Sequence, residues 1–297
     1  MRAISIFLAI FMLFIGSLDA QIAVNSAGSP PDPSAGLDVS FTDKGFLPPR
    51  LTADQIQAIP SPAAGLIVFN LTEGKPAFFD GNNWCNFDGK EAWLACGDPL
   101  KKVHLAGIVA PVNKTVIYGT VTNIPGETNK CWITSNLGSD MQATAVNDST
   151  ESSAGWYWQF NRKQGYKHQG GTNITPAWSM ITINENSNWT ITEDPCAIDL
   201  GTGWRLPTNT EWTNVDAAGS WTDWNGPWTA ALKIHAAGYI NNTNGQLEGR
   251  TGSIRIGNYW SSTQDNNSKA RNLTFDSGLC NTTLKIKNYG YSVRCIK

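Results

Sequence analysis

The sequence predicts an α+β fold: a larger C-terminal part of mixed strands with two helices, preceded by a small, mostly-β stalk module. Three observations point there. Short runs of β-branched and aromatic residues, separated by Gly, Asn, Asp and Pro, recur through most of the chain. Two helix signals in the C-terminal part stand on separate stretches and do not alternate with the strands. Six cysteines, an even number, lie behind an export-type leader, which is how a disulfide-stapled extracellular protein uses them.

Residues 1–20 read as a signal peptide. Arg2 supplies the positive start, the run from Ala3 to Ile15 is apolar apart from Ser5, and Leu18-Asp19-Ala20 offers a cleavage site before Gln21. That run is too short for a membrane-spanning helix, which needs roughly 20 apolar residues. No later stretch is apolar enough either, so no transmembrane segment is expected. Residues 21–36, rich in Ser, Pro, Gly and Ala, read as a flexible leader.

Residues 37–97 form the expected stalk or connector module. Thr52 N-caps a short helix running to Ala58, which Ser61-Pro62 ends. The run Gly65-Leu66-Ile67-Val68-Phe69-Asn70 reads as a strand and Pro76-Ala77-Phe78-Phe79 as its return. So small a β unit has little core of its own and needs a neighbour or an oligomer partner to bury its apolar face. Cys85 and Cys96 bracket a short loop, and their pairing would be the cheapest closure in the chain.

Residues 98–297 form the second domain. Strands are expected at 131–134, 155–160, 257–263, 270–275 and 291–296. Thr208 with Glu211 fits a capping box for a helix carrying Trp212 and Val215. Residues 230–237 read as the second helix, with His235 at its surface. Because 291–296 reads as the last strand of the fold, no C-terminal sorting domain is expected.

The net charge is −2, and the Lys and Arg residues are scattered along the chain. No nucleic-acid footprint is present. Catalytic patterns are equally absent. Asp216, Asp223, Glu248, Asp265 and Asp276 have no motif tying them together as a carboxylate pair, and no GxSxG occurs. His104, His168 and His235 are isolated and no CxxC exists, so no metal site or cofactor is expected. Calcium has candidate oxygen ligands in Asp223-Trp224-Asn225 and Asp265-Asn266-Asn267, but neither run has the spacing of a calcium loop.

The candidate ligand site lies in the same stretches. Trp221, Asp223, Trp224, Asn225 and Trp228 put indole faces and polar groups into one Gly/Pro-containing segment, and Asp265 and Asn266 join them. Such a set suits a glycan or a protein ligand. Packing of the tryptophans against the core beneath a long insertion explains it as well, and the sequence leaves both readings open.

Two resemblances add to this reading. The run "LDVSFTDKGFLPPRLTADQIQAIPSPAAGLIVFNLTEGKPAFFDGNNW" resembles a module of secreted Bacteroidota proteins and segments of phage tail-fibre proteins. That implies an oligomeric stalk. The ordered motifs "NKCWITSNLG", "GWYWQFNRKQGY", "DPCAIDLGTGWRLPTNTEW", "GNYWSST" and "YSVRCIK" resemble the Fibrobacter succinogenes major paralogous domain family over residues 115–297. This family is related to the C-type-lectin-like fold, shared with formylglycine-generating enzymes, and its members are mostly secreted. The resemblance implies a C-type-lectin-like domain, Trp204, Trp212 and Trp260 in structural roles, and the pairings Cys196–Cys295 and Cys131–Cys280. The rival pairing is Cys280–Cys295 with Cys131–Cys196. Formylglycine-generating enzymes hold copper with two cysteines. Here Cys280 and Cys295 are the only late ones, and bridging would consume both. The expectation is a non-catalytic adhesion or ligand-binding protein, secreted or on a bacterial cell surface. The alternative is a structural subunit of an extracellular filament or oligomer that self-assembles through the N-terminal module.

Overall fold

A computed structural model describes residues 21–71, 74–87, 96–169, 173–201 and 203–297. The expected signal peptide lies outside the described residues, as does most of the loop between Cys85 and Cys96.

The segment expected to be a flexible leader contributes a strand. Ile22–Asn25 pairs in parallel with Leu37–Ser40. A four-stranded sheet follows, in the order Arg50–Leu51, Ile67–Asn70, Lys75–Phe79 and Trp84–Asn86, with the first pair parallel and the others antiparallel. The crossover between the first two strands is the helix Ala53–Gln57. It starts on a reciprocal cap: Gln55 N donates to Thr52 Oγ1 at 3.3 Å and Thr52 N donates to Gln55 Oε1 at 2.9 Å. Ile56 of this helix packs on Val68, Ala77 and Trp84, and these four are the buried apolar residues of the module's core cluster among the described residues.

The C-terminal domain begins with the hairpin of Leu100–His104 and Lys114–Tyr118. Leu100, Val116 and Tyr118 point into a core that also holds Trp156, Trp158, Phe160, Trp204 and Trp260. A buried polar string ties the hairpin down. Gly138 N donates to the Tyr118 hydroxyl at 2.7 Å, that hydroxyl lies 2.8 Å from His104 Nε2, and His104 Nδ1 lies 2.5 Å from Asp199 Oδ2. Farther along, the antiparallel strands Gly257–Gln264, Lys269–Phe275 and Cys280–Ile286 form the longest sheet. The helix Asn209–Gly219 packs Trp212 and Val215 beside it, on a capping box made by Thr208 and Glu211.

Several expectations need correction. Strand makes up 31% and helix 11%, so the fold is β-rich, built of small sheets, and not an α+β C-type-lectin-like fold. Among the described residues only Asn209–Gly219 exceeds six helical residues. Residues 230–237 are not helical; the helix there, Asn225–Thr229, ends before them. Leu232, Ile234, His235, Ala236 and Ala237 are all buried, so the segment has no polar face of the kind a surface helix needs. His235 is 1% exposed, not at a surface. Residues 291–296 form isolated bridges to Trp158, Tyr259, Trp132 and Arg205 in place of a continuous strand.

The disulfides differ too. Cys96 is bonded to Cys131, not to Cys85, with Cα atoms 5.6 Å apart. Cys131 is therefore not joined to Cys280. Cys196 and Cys295 are joined, with Cα atoms 5.5 Å apart. Gly97 N donates to Thr120 Oγ1, whose hydroxyl donates to Asp98 O, so Cys96 is drawn to the strands beside Cys131 and away from the N-terminal sheet. Cys85 Sγ instead donates to Asp80 Oδ2 at 3.6 Å. Cys280 is a buried thiol, and burial together with the neighbouring Asp216 and Asp223 carboxylates raises its pKa.

Candidate assembly surface

Strand alternation divides the N-terminal sheet into two faces. Val68 and Asn70, Ala77, and Trp84 and Asn86 are buried on the helix side. The opposite side therefore presents Ile67 and Phe69, Pro76 and Phe78, and Phe87. Register sets them in rows: Ile67 lies opposite Phe78, which lies opposite Cys85, and Phe69 lies opposite Pro76. Phe87 continues the apolar row, edge-on to Phe78 with ring centroids 5.5 Å apart. Ile67 is 41% and Phe87 62% exposed. A sheet with one face on a short helix and an apolar second face left open is half of a two-layer core.

Other apolar groups are left exposed nearby. Phe46 and Leu47 stand on the irregular chain between Leu37–Ser40 and Arg50–Leu51. Val103 and Ile117 lie on the outer face of the first hairpin of the C-terminal domain. A cleft of about 500 Å³ opens where the N-terminal sheet meets that hairpin, with Pro60, Phe79, Trp84, Leu100 and Val103 in its walls. Thirteen of the twenty-one exposed large apolar side chains among the described residues fall between Ile22 and Ile117, under a third of the chain. Contiguous exposed apolar rows such as Ile67, Phe78 and Phe87 mark candidate interaction surfaces. Sequence reasoning anticipated the small core but not which residues are exposed. The alternation in residues 65–70 and 76–79 carried that signal once a register was known.

The residues singled out for ligand binding do not converge. Trp221 is only 7% exposed and packs in the core with Trp212 and Phe275; Trp224 is partly buried against the same cluster. Trp228 is half-buried, with Lys233 Nζ over its ring at 5.3 Å from the centroid. Asp223 Oδ1 accepts from Asn225 N at 2.7 Å, so this carboxylate shapes its own turn. Asp265 and Asn266 lie elsewhere. Trp224 N donates to Asp276 O, just after the strand Lys269–Phe275, whereas Asp265 and Asn266 precede that strand. Seven strand residues separate the two groups by about 20 Å. Asp265 is paired with Arg271 at 3.2 Å, and Asn266 Oδ1 accepts from Ser268 N and Lys269 N. Among the described residues no group of three or more His, Cys, Asp or Glu side chains is placed to hold a metal ion.

The Tyr118–His104–Asp199 string lies inside the C-terminal domain. Tyr118 and His104 are fully buried, and the string joins the first hairpin to the helix Pro195–Leu200. Arg294 is also fully buried, donating to Ile133 O, Leu232 O and Asn136 Oδ1, and burial lowers its pKa to about 10. Arg205 forms a two-point contact with Glu211, at 2.8 and 2.5 Å.

Residues 24–101 match the model of a phage tail like trimerisation region. Residues 229–296 match a domain of unknown function, DUF8237. No curated protein and no solved structure is significantly similar to the chain. The trimerisation match spans the open sheet face, Phe46 and Leu47, and nearly all of the cleft.

Proposed function

We propose that the chain is a trimeric structural subunit of an extracellular filament or oligomer, assembled through residues 24–101 and carrying the β-rich C-terminal domain. The observation that carries this reading is the open apolar face of Ile67, Phe78 and Phe87 within the residues matched to a trimerisation region. Around a threefold axis such a face is covered by its own copies, and each copy supplies the second layer the others lack. The Cys96–Cys131 bridge fastens the end of the module to the C-terminal domain. Two disulfides are compatible with an extracellular setting. So is the finding that no helix among the described residues is long and apolar enough to cross a membrane. The resemblance of residues 115–297 to a mostly secreted bacterial family supports the same setting. The role is non-catalytic and needs no cofactor.

The test is the light-scattering mass of residues 21–297 beside that of an Ile67→Asp/Phe78→Asp variant. Both side chains sit on the open face, so the monomer tolerates the change. The expected result is a trimer for the parent chain and a monomer for the variant. A monomeric parent at all concentrations contradicts the proposal.

A further inference from the structure

The cleft and the Phe46-Leu47 pair belong to the same module yet do not meet. Phe46 is 64% and Leu47 66% exposed, so the chain's own cleft does not take them up. The cleft is walled by Pro60, Pro62, Phe79, Trp84, Leu100 and Val103, and its volume of about 500 Å³ accommodates a pair of large side chains but no folded element. Pro48 and Pro49 follow Leu47 directly. A residue before proline is held out of the helical region, which keeps this segment extended and suited to reaching out. Both the pair and all of the cleft but Val103 lie within the residues matched to a trimerisation region, so a second copy of the chain is the occupant at hand.

We infer that Phe46 and Leu47 of one copy fill the cleft of the next copy of this chain. The inference rests on the trimer reading and adds the contact that closes it. A knob and a socket on different parts of one module make a heterologous contact, which closes into a ring when the rotation is threefold. The open sheet face then turns toward the axis, and the knobs lock neighbours around the outside.

The test places the photoreactive p-benzoylphenylalanine at position 46 of the 21–297 chain. Unlabelled and ¹⁵N-labelled protein are mixed, allowed to exchange subunits, irradiated, digested and analysed by mass spectrometry. The expected products join position 46 to peptides containing residues 57–62 or 99–103, and they include mixed-isotope pairs. Trimers whose cross-links fall elsewhere, or only within one isotope, overturn the inference and leave the trimer reading standing. A monomeric mass before irradiation overturns both. Leu47→Asp changes a side chain two-thirds exposed in the single chain, so it leaves the monomer's packing intact. It is expected to weaken association at least tenfold, and unchanged association overturns the inference.

Discussion

The two regions of this chain handle their apolar residues in opposite ways. The C-terminal domain buries Trp132, Trp156, Trp158, Trp204, Trp212 and Trp260 almost completely and closes its last segment with Cys196–Cys295. The N-terminal module keeps four residues in its core and leaves Ile67, Phe87, Phe46 and Leu47 exposed. The first region is a finished core. The second is a partial one, whose missing layer, in the proposed trimer, comes from other copies. In that trimer, stability in the first region is set within the chain, and in the second it depends on concentration.

Four variants sharpen that contrast. Trp260 donates Nε1–H to Trp158 O at 2.7 Å and packs on Tyr291 with centroids 4.5 Å apart. Trp260→Ala is expected to cost the C-terminal domain about 3–5 kcal/mol in denaturant titration, with the association constant unchanged. Ile56→Ala is expected to cost about 2–5 kcal/mol, but in the N-terminal module, where it appears as weaker trimer formation. If either loss appears in the other region's transition, the two regions are not independent.

A third effect depends on pH. Burial, with Arg294 and Arg250 nearby, lowers the pKa of His235 to about 3. An unfolded histidine titrates near 6.5, so between those values the unfolded chain binds a proton that the folded chain refuses. Stability from this residue is therefore complete above about pH 6.5 and is lost as pH falls, by about 2 kcal/mol at pH 5. His235→Asn should flatten this slope in the C-terminal transition; an equally steep slope contradicts the assignment. The smallest effect is at the helix cap: Thr208→Ala removes the acceptor of Glu211 N and is expected to cost about 1 kcal/mol, read from the thermal midpoint.

What was legible in the sequence follows the range of the interactions involved. The capping box of Thr208 and Glu211, the short helix after Thr52 and the hairpin through Ile67 and Phe78 depend on neighbours within a few positions, and local patterns report them. Residues 230–237 read as a helix because alanine favours one, whereas they form a turn at Ala230–Lys233 and an irregular run buried from several sides. The bond between Cys96 and Cys131 depends on strands brought together from 35 residues apart, which loop closure alone undervalues. The strand Cys280–Ile286 carries Asn, Thr and Lys on an edge and has little apolar signature. The tryptophans at 221, 224 and 228 drew attention as a cluster, but only packing tells core indoles from exposed ones. The module's small core was legible from its size, and its open apolar face required the strand register.

The most direct test is scanning calorimetry of residues 21–297 over a hundredfold range of concentration. Two transitions are expected: one, from the N-terminal module, rises in temperature with concentration, and the other, from the C-terminal domain, stays fixed. Two transitions that both ignore concentration would mean that the N-terminal module is complete in a single chain, and the account would fail.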